Sequence, residues 1–356
     1  MSRKKDFFII LTAAAGILGI MLFNFIIDPY YIFQHKPVYG LNHKKIHMYS
    51  NKRQIIFSEM KLNGRNKTDA FIGNCTLYRS RNVPSNIAFY TVPVTNTEEI
   101  LNIIEHIKLL NPNIKKLYLG INFNEIFKKD RKTDDFKEIN SRRISIKDII
   151  DLLFSWNTTK YSIETLTASI AAKNKNDNYV YPYREIAKKR YSSGETCNLM
   201  VKLSMLKNFA ENSGIKLIFY FTPVHITYKI DIYEKNLWDK YTDFKYRLAQ
   251  RADYLDYSLN NAYNTEKLDA DAVYYIDNIH ITDALNEAVI SDLLSNSPKI
   301  GVPVNKNNAD DIIKNDTEYI ADYIEKNKEL AEKIKSLTVQ DADIKIKKAV
   351  IGSIKK

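Results

Sequence analysis

The sequence predicts an open α/β sheet, parallel and covered by helices on both faces, behind one apolar N-terminal helix that crosses a membrane. Two observations predict it. From residue 69 onward, short apolar runs alternate with longer runs of helical periodicity, the pattern of connected strand–helix units. Ahead of them, residues 7–27 form a run without charge, in which only Thr12 and Asn24 are polar.

The apolar run comes first in the chain. At about 1.5 Å per residue it covers roughly 30 Å, the hydrocarbon thickness of a bilayer. Arg3, Lys4 and Lys5 precede it and Asp28 follows, so the positive-inside bias keeps the N-terminus in the cytoplasm and the body, single-pass, beyond the membrane. A cleaved signal peptide has a shorter apolar region, whereas the alanines at 13–15 lie mid-run, so the segment reads as an uncleaved anchor. A buried core helix would carry a polar face, which this run lacks.

Residues 1–28 are thus stub and anchor, and 29–67 a connector rich in aromatic, Asn, Lys and His residues. The α/β domain spans 68–298. Within it Asp69-Ala-Phe-Ile-Gly73 and Lys116-Leu-Tyr-Leu-Gly-Ile121 read as buried strands around an amphipathic helix at Thr97–Leu110, capped by Thr97. A helix at 199–212 stops at Gly214, a strand at 215–221 stops at Pro223, and a helix at 234–251 leads to a strand near 254–257. A last helix at 284–294, which Thr282 or Asp283 would cap, closes the core. Residues 128–195 stand outside the alternation as a cap-like helical insertion, carrying Tyr179, Tyr181, Tyr183 and Tyr191. Residues 299–356 form a Lys-rich extension, helical from about Asp316 and solvated or in contact with a membrane or partner.

The formal net charge is +11 and the pI about 9.2. In an exported body this balance excludes nucleic acid as the natural partner and points to anionic surface polymer or lipid headgroups. Cys75 and Cys197 are too few for a disulfide framework or a zinc site, though a single bridge between them is open to an oxidising compartment.

Candidate chemistry collects at strand ends. Asp277 and His280, three apart before the last helix, allow a carboxylate to hold one imidazole nitrogen while the other serves a nucleophile; a helix-capping Asp would look the same locally. Cys75 follows a strand and a tight Gly73-Asn74 turn, where a nearby imidazole favours thiolate, although a lone Cys is more often a small buried side chain. Asn122 ends the next strand and could aim its amide at an oxyanion, or cap a turn. His225 lies beyond the 215–221 strand, as a cleft residue or a satisfied structural one. Tyr179, Tyr181, Tyr183 and Arg184 could form a wall for sugar rings or pack the insertion against the core. Asp277 and His280 alone are too few ligands for a metal, and no cofactor is expected.

Gly73-Asn74-Cys75, Gly120-Ile121-Asn122 and Asp277-x-x-His280 resemble, in order and spacing, the first, third and fifth motif blocks of the SGNH/GDSL hydrolase superfamily. The likeness is to its membrane-anchored exported members, such as teichoic-acid D-alanyl transfer and alginate-type O-acetylation proteins. Those share the anchor, an Asp-Pro-Tyr connector like Asp28-Pro29-Tyr30, and a Thr-Pro-x-His strand end like Thr222-Pro223-Val224-His225. The resemblance covers about residues 1–296. It implies a flavodoxin-like three-layer sandwich with His280 as general base, Asp277 orienting it, Cys75 as nucleophile, and Asn122 with the backbone N–H of Cys75 as oxyanion hole; Asn74 would line the site. The implied activity is acyl transfer to, or ester hydrolysis on, cell-surface polysaccharide, with acetyl as the acyl group and a multi-spanning membrane O-acyltransferase as partner. The chain departs from the pattern in carrying Cys75 in place of Ser, and in having no glycine between 81 and 116, where Thr91 or a neighbour stands at the block-two position. Thiols attack esters, whereas loss of an oxyanion donor costs about 10²–10³ in rate. A non-catalytic scaffold or glycan-binding subunit of a polysaccharide-modifying complex is therefore the alternative.

Overall fold

The computed structural model describes residues 2–30, 33, 38–42, 60, 62–73, 76–77, 83–91, 97–123, 146–171, 195–268 and 272–336, without the side chains of 2–4, 97–99, 102, 146–148 and 195–199. The chain divides into two compact units. One comprises Met1–Asn66, Leu109–Pro112 and Asp134–Asp177, so the central part of the segment read as a cap groups with the N-terminal helix. Here α1 (Ser2–Ile27) packs on α3 (Ile146–Leu153) and α4 (Trp156–Ala171). α1 is long and apolar enough to cross a membrane, and residues 5–20 along it are all exposed. It ends where Asp28 turns left-handed at φ 46° and its N–H returns to the Asn24 carbonyl at 2.9 Å.

The other unit is built on a six-stranded sheet ordered β2-β1-β3-β4-β5-β6. The strands are β1 (Asp69–Gly73), β2 (Ile87–Thr91), β3 (Lys116–Ile121), β4 (Lys216–Phe221), β5 (Tyr254–Asp256) and β6 (Val302–Val304). All pairings are parallel except that of β6 with β5. The chain moves from β1 to β2, then crosses back to β3 and continues the other way. The winding reverses between β1 and β3, whose carboxyl ends flank the crevice where open α/β sheets take ligands.

Helices cover both faces because the strands alternate apolar side chains in both directions. On one face Phe71 stacks between Phe89 and Tyr118 at centroid distances of 5.0 and 4.8 Å. Tyr220 meets Phe71 edge-on and leads to Tyr257. Leu285, Val289, Ile290 and Leu293 of α8 (Asp283–Leu294) close over this stack. On the other face Phe219 lies against Met200 and Leu203 of α5 (Glu195–Asn212) and Leu248 of α7 (Trp238–Ala249). Truncating a buried aromatic such as Phe71 would remove about 3–5 kcal/mol.

Several predicted elements appear with their bounds, among them β1, β3 and α2 (Thr97–Leu110); the expected Thr97 cap rests on a side chain outside the described ones. Others differ. The helix expected at 234–251 is α7, starting four residues later, and an unexpected helix, α6 (Ile226–Glu234), precedes it and stops where Asn236 adopts φ 54°. Its N–H reaches the Tyr233 carbonyl and that of Leu237 the Ile232 carbonyl, the paired bonds of a Schellman stop. Gly214, at φ 73°, ends α5 in the same way, as its position in the sequence predicts. Thr282 stands at the N-cap of α8, but its hydroxyl donates to the Val273 carbonyl at 2.6 Å.

The described part of the C-terminal extension, residues 299–336, is helical from 309 and solvated on one face as expected, but its other face packs on the domain. β6 completes the sheet, α9 (Ala309–Lys326) packs on α6 and α7, and α10 (Lys328–Ser336) packs on α6. Asp316 is buried in an ion pair with Lys229 of α6, and Asn260 bonds both partners. Beside them Lys245 of α7 is buried 2.7 Å from Asp256 and 2.8 Å from the Ser258 hydroxyl. Burial works against the Lys245 ammonium, but Asp256 and Tyr241 more than offset it and hold the group charged well above its ordinary range. A buried lysine deprived of its carboxylate is strongly destabilising. Asp316→Ala should lower the unfolding free energy by about 3–5 kcal/mol. Lys314→Ala, which breaks an exposed pair with Glu318 on the same helix, should leave the midpoint unmoved. Denaturant titration of the two variants checks both outcomes.

Candidate active site

The site grows from the carboxyl edge of the sheet. In the parallel register Gly73 faces Thr91 on one side and Gly120 on the other, and Gly120 faces Tyr220. Gly73 has φ 101°, and a Cβ there would stand 2.8 Å from the Gly120 carbonyl. A Cβ on Gly120 would stand 2.6 Å from the Tyr220 hydroxyl. Each position therefore requires glycine, the first for its backbone conformation as well as for space. Two residues beyond these glycines in the sequence come Cys75 and Asn122.

Asn122 is buried and oriented at both ends. Its Oδ1 accepts from the Tyr228 hydroxyl at 3.0 Å and its Nδ2 donates to the Thr222 hydroxyl at 3.3 Å. Thr222, just past β4, is aligned with β3 by its N–H, which donates to the Ile121 carbonyl at 3.0 Å. Tyr228 comes from α6, whose start follows directly on the Thr222-Pro223-Val224-His225 segment.

Asp277 and His280 form the pair that their spacing predicts. The Asp277 carboxylate is fully buried; its Oδ2 lies 2.7 Å from His280 Nδ1, and its Oδ1 accepts from the N–H groups of Ile279 and His280 at 2.8 and 2.6 Å. The His280 side chain is 32% exposed, so the ring is held from beneath and reachable from solvent. The loop closes on itself through the Tyr275–Ile281 bridge and the bond from the Ile276 N–H to the His280 carbonyl.

Two groups brace this loop. Glu266 accepts from three successive N–H groups, those of Val273, Tyr274 and Tyr275, at 2.6–2.8 Å. His225 caps α6 by accepting the Thr227 N–H on Nδ1, and its Nε2–H donates to the Glu266 carbonyl at 2.7 Å. The His225 N–H donates to the Asn278 carbonyl, inside the Asp277–His280 turn. Burial pushes the His225 ring down to about 4, with the bond to the Glu266 carbonyl pulling the other way. His225 is thus a neutral brace with both ring nitrogens engaged.

The structure brings Asn122, Thr222 and Tyr228 together, and His225 together with the Asp277–His280 turn. Asn74, Cys75, Tyr179, Tyr181, Tyr183, Arg184 and Tyr191, and the side chain of Cys197, lie outside what the structure describes. Among the described residues no group of three or more His, Cys, Asp or Glu could hold a metal ion. Tyr228 escapes sequence reading because it acts on Asn122, 106 residues away, and Glu266 because its carboxylate takes backbone N–H groups, which no residue type marks. Compared with protein-family models, with curated proteins and with solved structures, the chain matches none.

Because His225 takes its proton near pH 4 when folded and near 6.5 when unfolded, the unfolded chain holds more protons between those values. Stability should therefore be fully present above about pH 6.5 and fall by up to about 3 kcal/mol as pH drops to 4. In His225→Asn, which keeps an acceptor for the Thr227 N–H, that slope should flatten, as unfolding midpoints across this range would reveal.

Proposed function

We propose that the chain is a membrane-anchored, extracytoplasmic acyltransferase or esterase acting on cell-surface polysaccharide, in which Cys75 is the nucleophile and His280 the general base. One observation carries the reading: a fully buried carboxylate fixes Nδ1 of a solvent-reachable imidazole beside a parallel sheet. With Nδ1 committed to Asp277, proton exchange falls to Nε2, the division of labour that nucleophilic acyl transfer needs. The Gly73–Gly120 register adds support, since it sends the residues that follow β1 and β3 toward the same end of the sheet.

In this scheme His280 takes the thiol proton as Cys75 sulfur adds to the acyl carbonyl of a donor. The donor oxygen leaves with that proton, and the acyl group remains on sulfur as a thioester. A polysaccharide hydroxyl, yielding its proton to His280, then takes the acyl group and restores the thiol; water in its place gives hydrolysis. Asn122 Nδ2 would face the oxyanion, its turn set by Tyr228 and Thr222.

The exposed apolar surface along residues 7–20 of α1 supports the anchor, because in water it would be a large exposed patch. Arg3, Lys4 and Lys5 argue for a cytoplasmic N-terminus. The resemblance adds an acetyl donor delivered by a multi-spanning O-acyltransferase.

Ester turnover by the full chain in detergent tests the chemistry. Cys75→Ala and His280→Ala should fall to background, Cys75→Ser should retain activity, and Asp277→Asn should lose up to about 10⁴-fold. Equal background rates in all of these and in the wild type would leave the non-catalytic scaffold as the reading.

A further inference from the structure

Asn24 lies in the last turn of a span in which, within 7–27, only Thr12 is also polar, and it is completely buried. An amide at that depth is costly unless it finds partners. Its partners come from the α3–α4 turn: Nδ2 donates to the Leu153 carbonyl at 2.6 Å and to the Thr159 hydroxyl at 2.9 Å. A second latch lies alongside. Asn42 Nδ2 donates to the Ile26 carbonyl at the end of α1, while its Oδ1 accepts the Val38 N–H and draws the Val38–Asn42 turn closed.

Both latched turns expose apolar and aromatic side chains. Phe154 and Trp156, between the two groups that Asn24 holds, are 43% and 79% exposed, and Val38 and Tyr39 are 51% and 63% exposed. Asn24 sits about 6 Å short of Asp28 along the helix axis. That is the depth of the bilayer's interfacial zone, where Trp and Tyr rings settle with an apolar body in lipid and a polar edge toward the headgroups.

We infer that these two turns form an aromatic collar around the exit of α1 and insert into the interfacial layer of the bilayer. The occupant of the exposed faces is lipid, and the collar fixes how far α1 emerges. This inference rests on the reading of α1 as a membrane anchor.

Trp156 can report on it directly, since Trp238, the other tryptophan, is buried. The full chain is reconstituted in phosphatidylcholine–phosphatidylglycerol vesicles with acyl chains brominated either near the headgroup or near the methyl end. The emission that disappears in Trp156→Phe should be largely lost with the shallow bromines and much less with the deep ones, while Trp238 emission persists. A tryptophan restored as Tyr39→Trp on that Trp156→Phe chain should behave like Trp156. If Trp156 emission ignores both bromines and is quenched by aqueous iodide, the collar is overturned. Alkaline carbonate washing separates the two readings: a chain that stays in the vesicles with Trp156 unquenched loses only the collar, and a chain that washes off loses the anchor and the collar together.

Discussion

The close approach of β1, β3 and the Tyr220 ring at Gly73 and Gly120 governs the layout of the second unit. Neither glycine can gain a Cβ without displacing backbone or a buried phenol. That crowding holds the two strands where the winding of the sheet reverses, and the chain leaves both strand ends on the same side. Below this point the Phe89–Phe71–Tyr118 stack gives the sheet a rigid floor. A site placed above it inherits its position from packing.

The Asp277–His280 turn depends on the same frame at one remove. His225 continues the chain from β4, and its backbone N–H and ring tie the start of α6 to the turn and to Glu266. Glu266 in turn gathers three N–H groups that no strand or helix satisfies. The histidine that could exchange protons is thus separated in role from the histidine that keeps the loop in place. Burial enforces the separation, because it keeps His225 neutral while the His280 ring stays in reach of solvent.

How much of this was legible in the sequence depended on how local the cause is. β1, α2 and β3 could be read because their apolar periodicity belongs to single segments. Asp277 with His280 was legible because one turn contains both partners. β2 (Ile87–Thr91) passed unread, being short and without flanking glycines. β6 was hidden by Pro303, which a strand tolerates only at a sheet edge. α6 passed unread, and it stops before α7 at the left-handed turn of Asn236, a conformation that asparagine permits without announcing. The burial of Asp316 was illegible for a different reason: nothing near it in sequence reveals that Lys229 awaits it.

That last pairing bears on the timing of assembly. A chain synthesised from its N-terminus carries Lys229 through 87 further residues before its counter-ion exists. Until then the ammonium has water and, 31 residues on, the neutral Asn260 oxygen to solvate it, but no carboxylate paired with it. Lys245 finds Asp256 on the very next strand and waits far less. A chain cut short before Asp316 would leave α6, with its apolar face, open to proteases. The helix that carries Asp316 thus completes the burial of a charge set down much earlier in the chain.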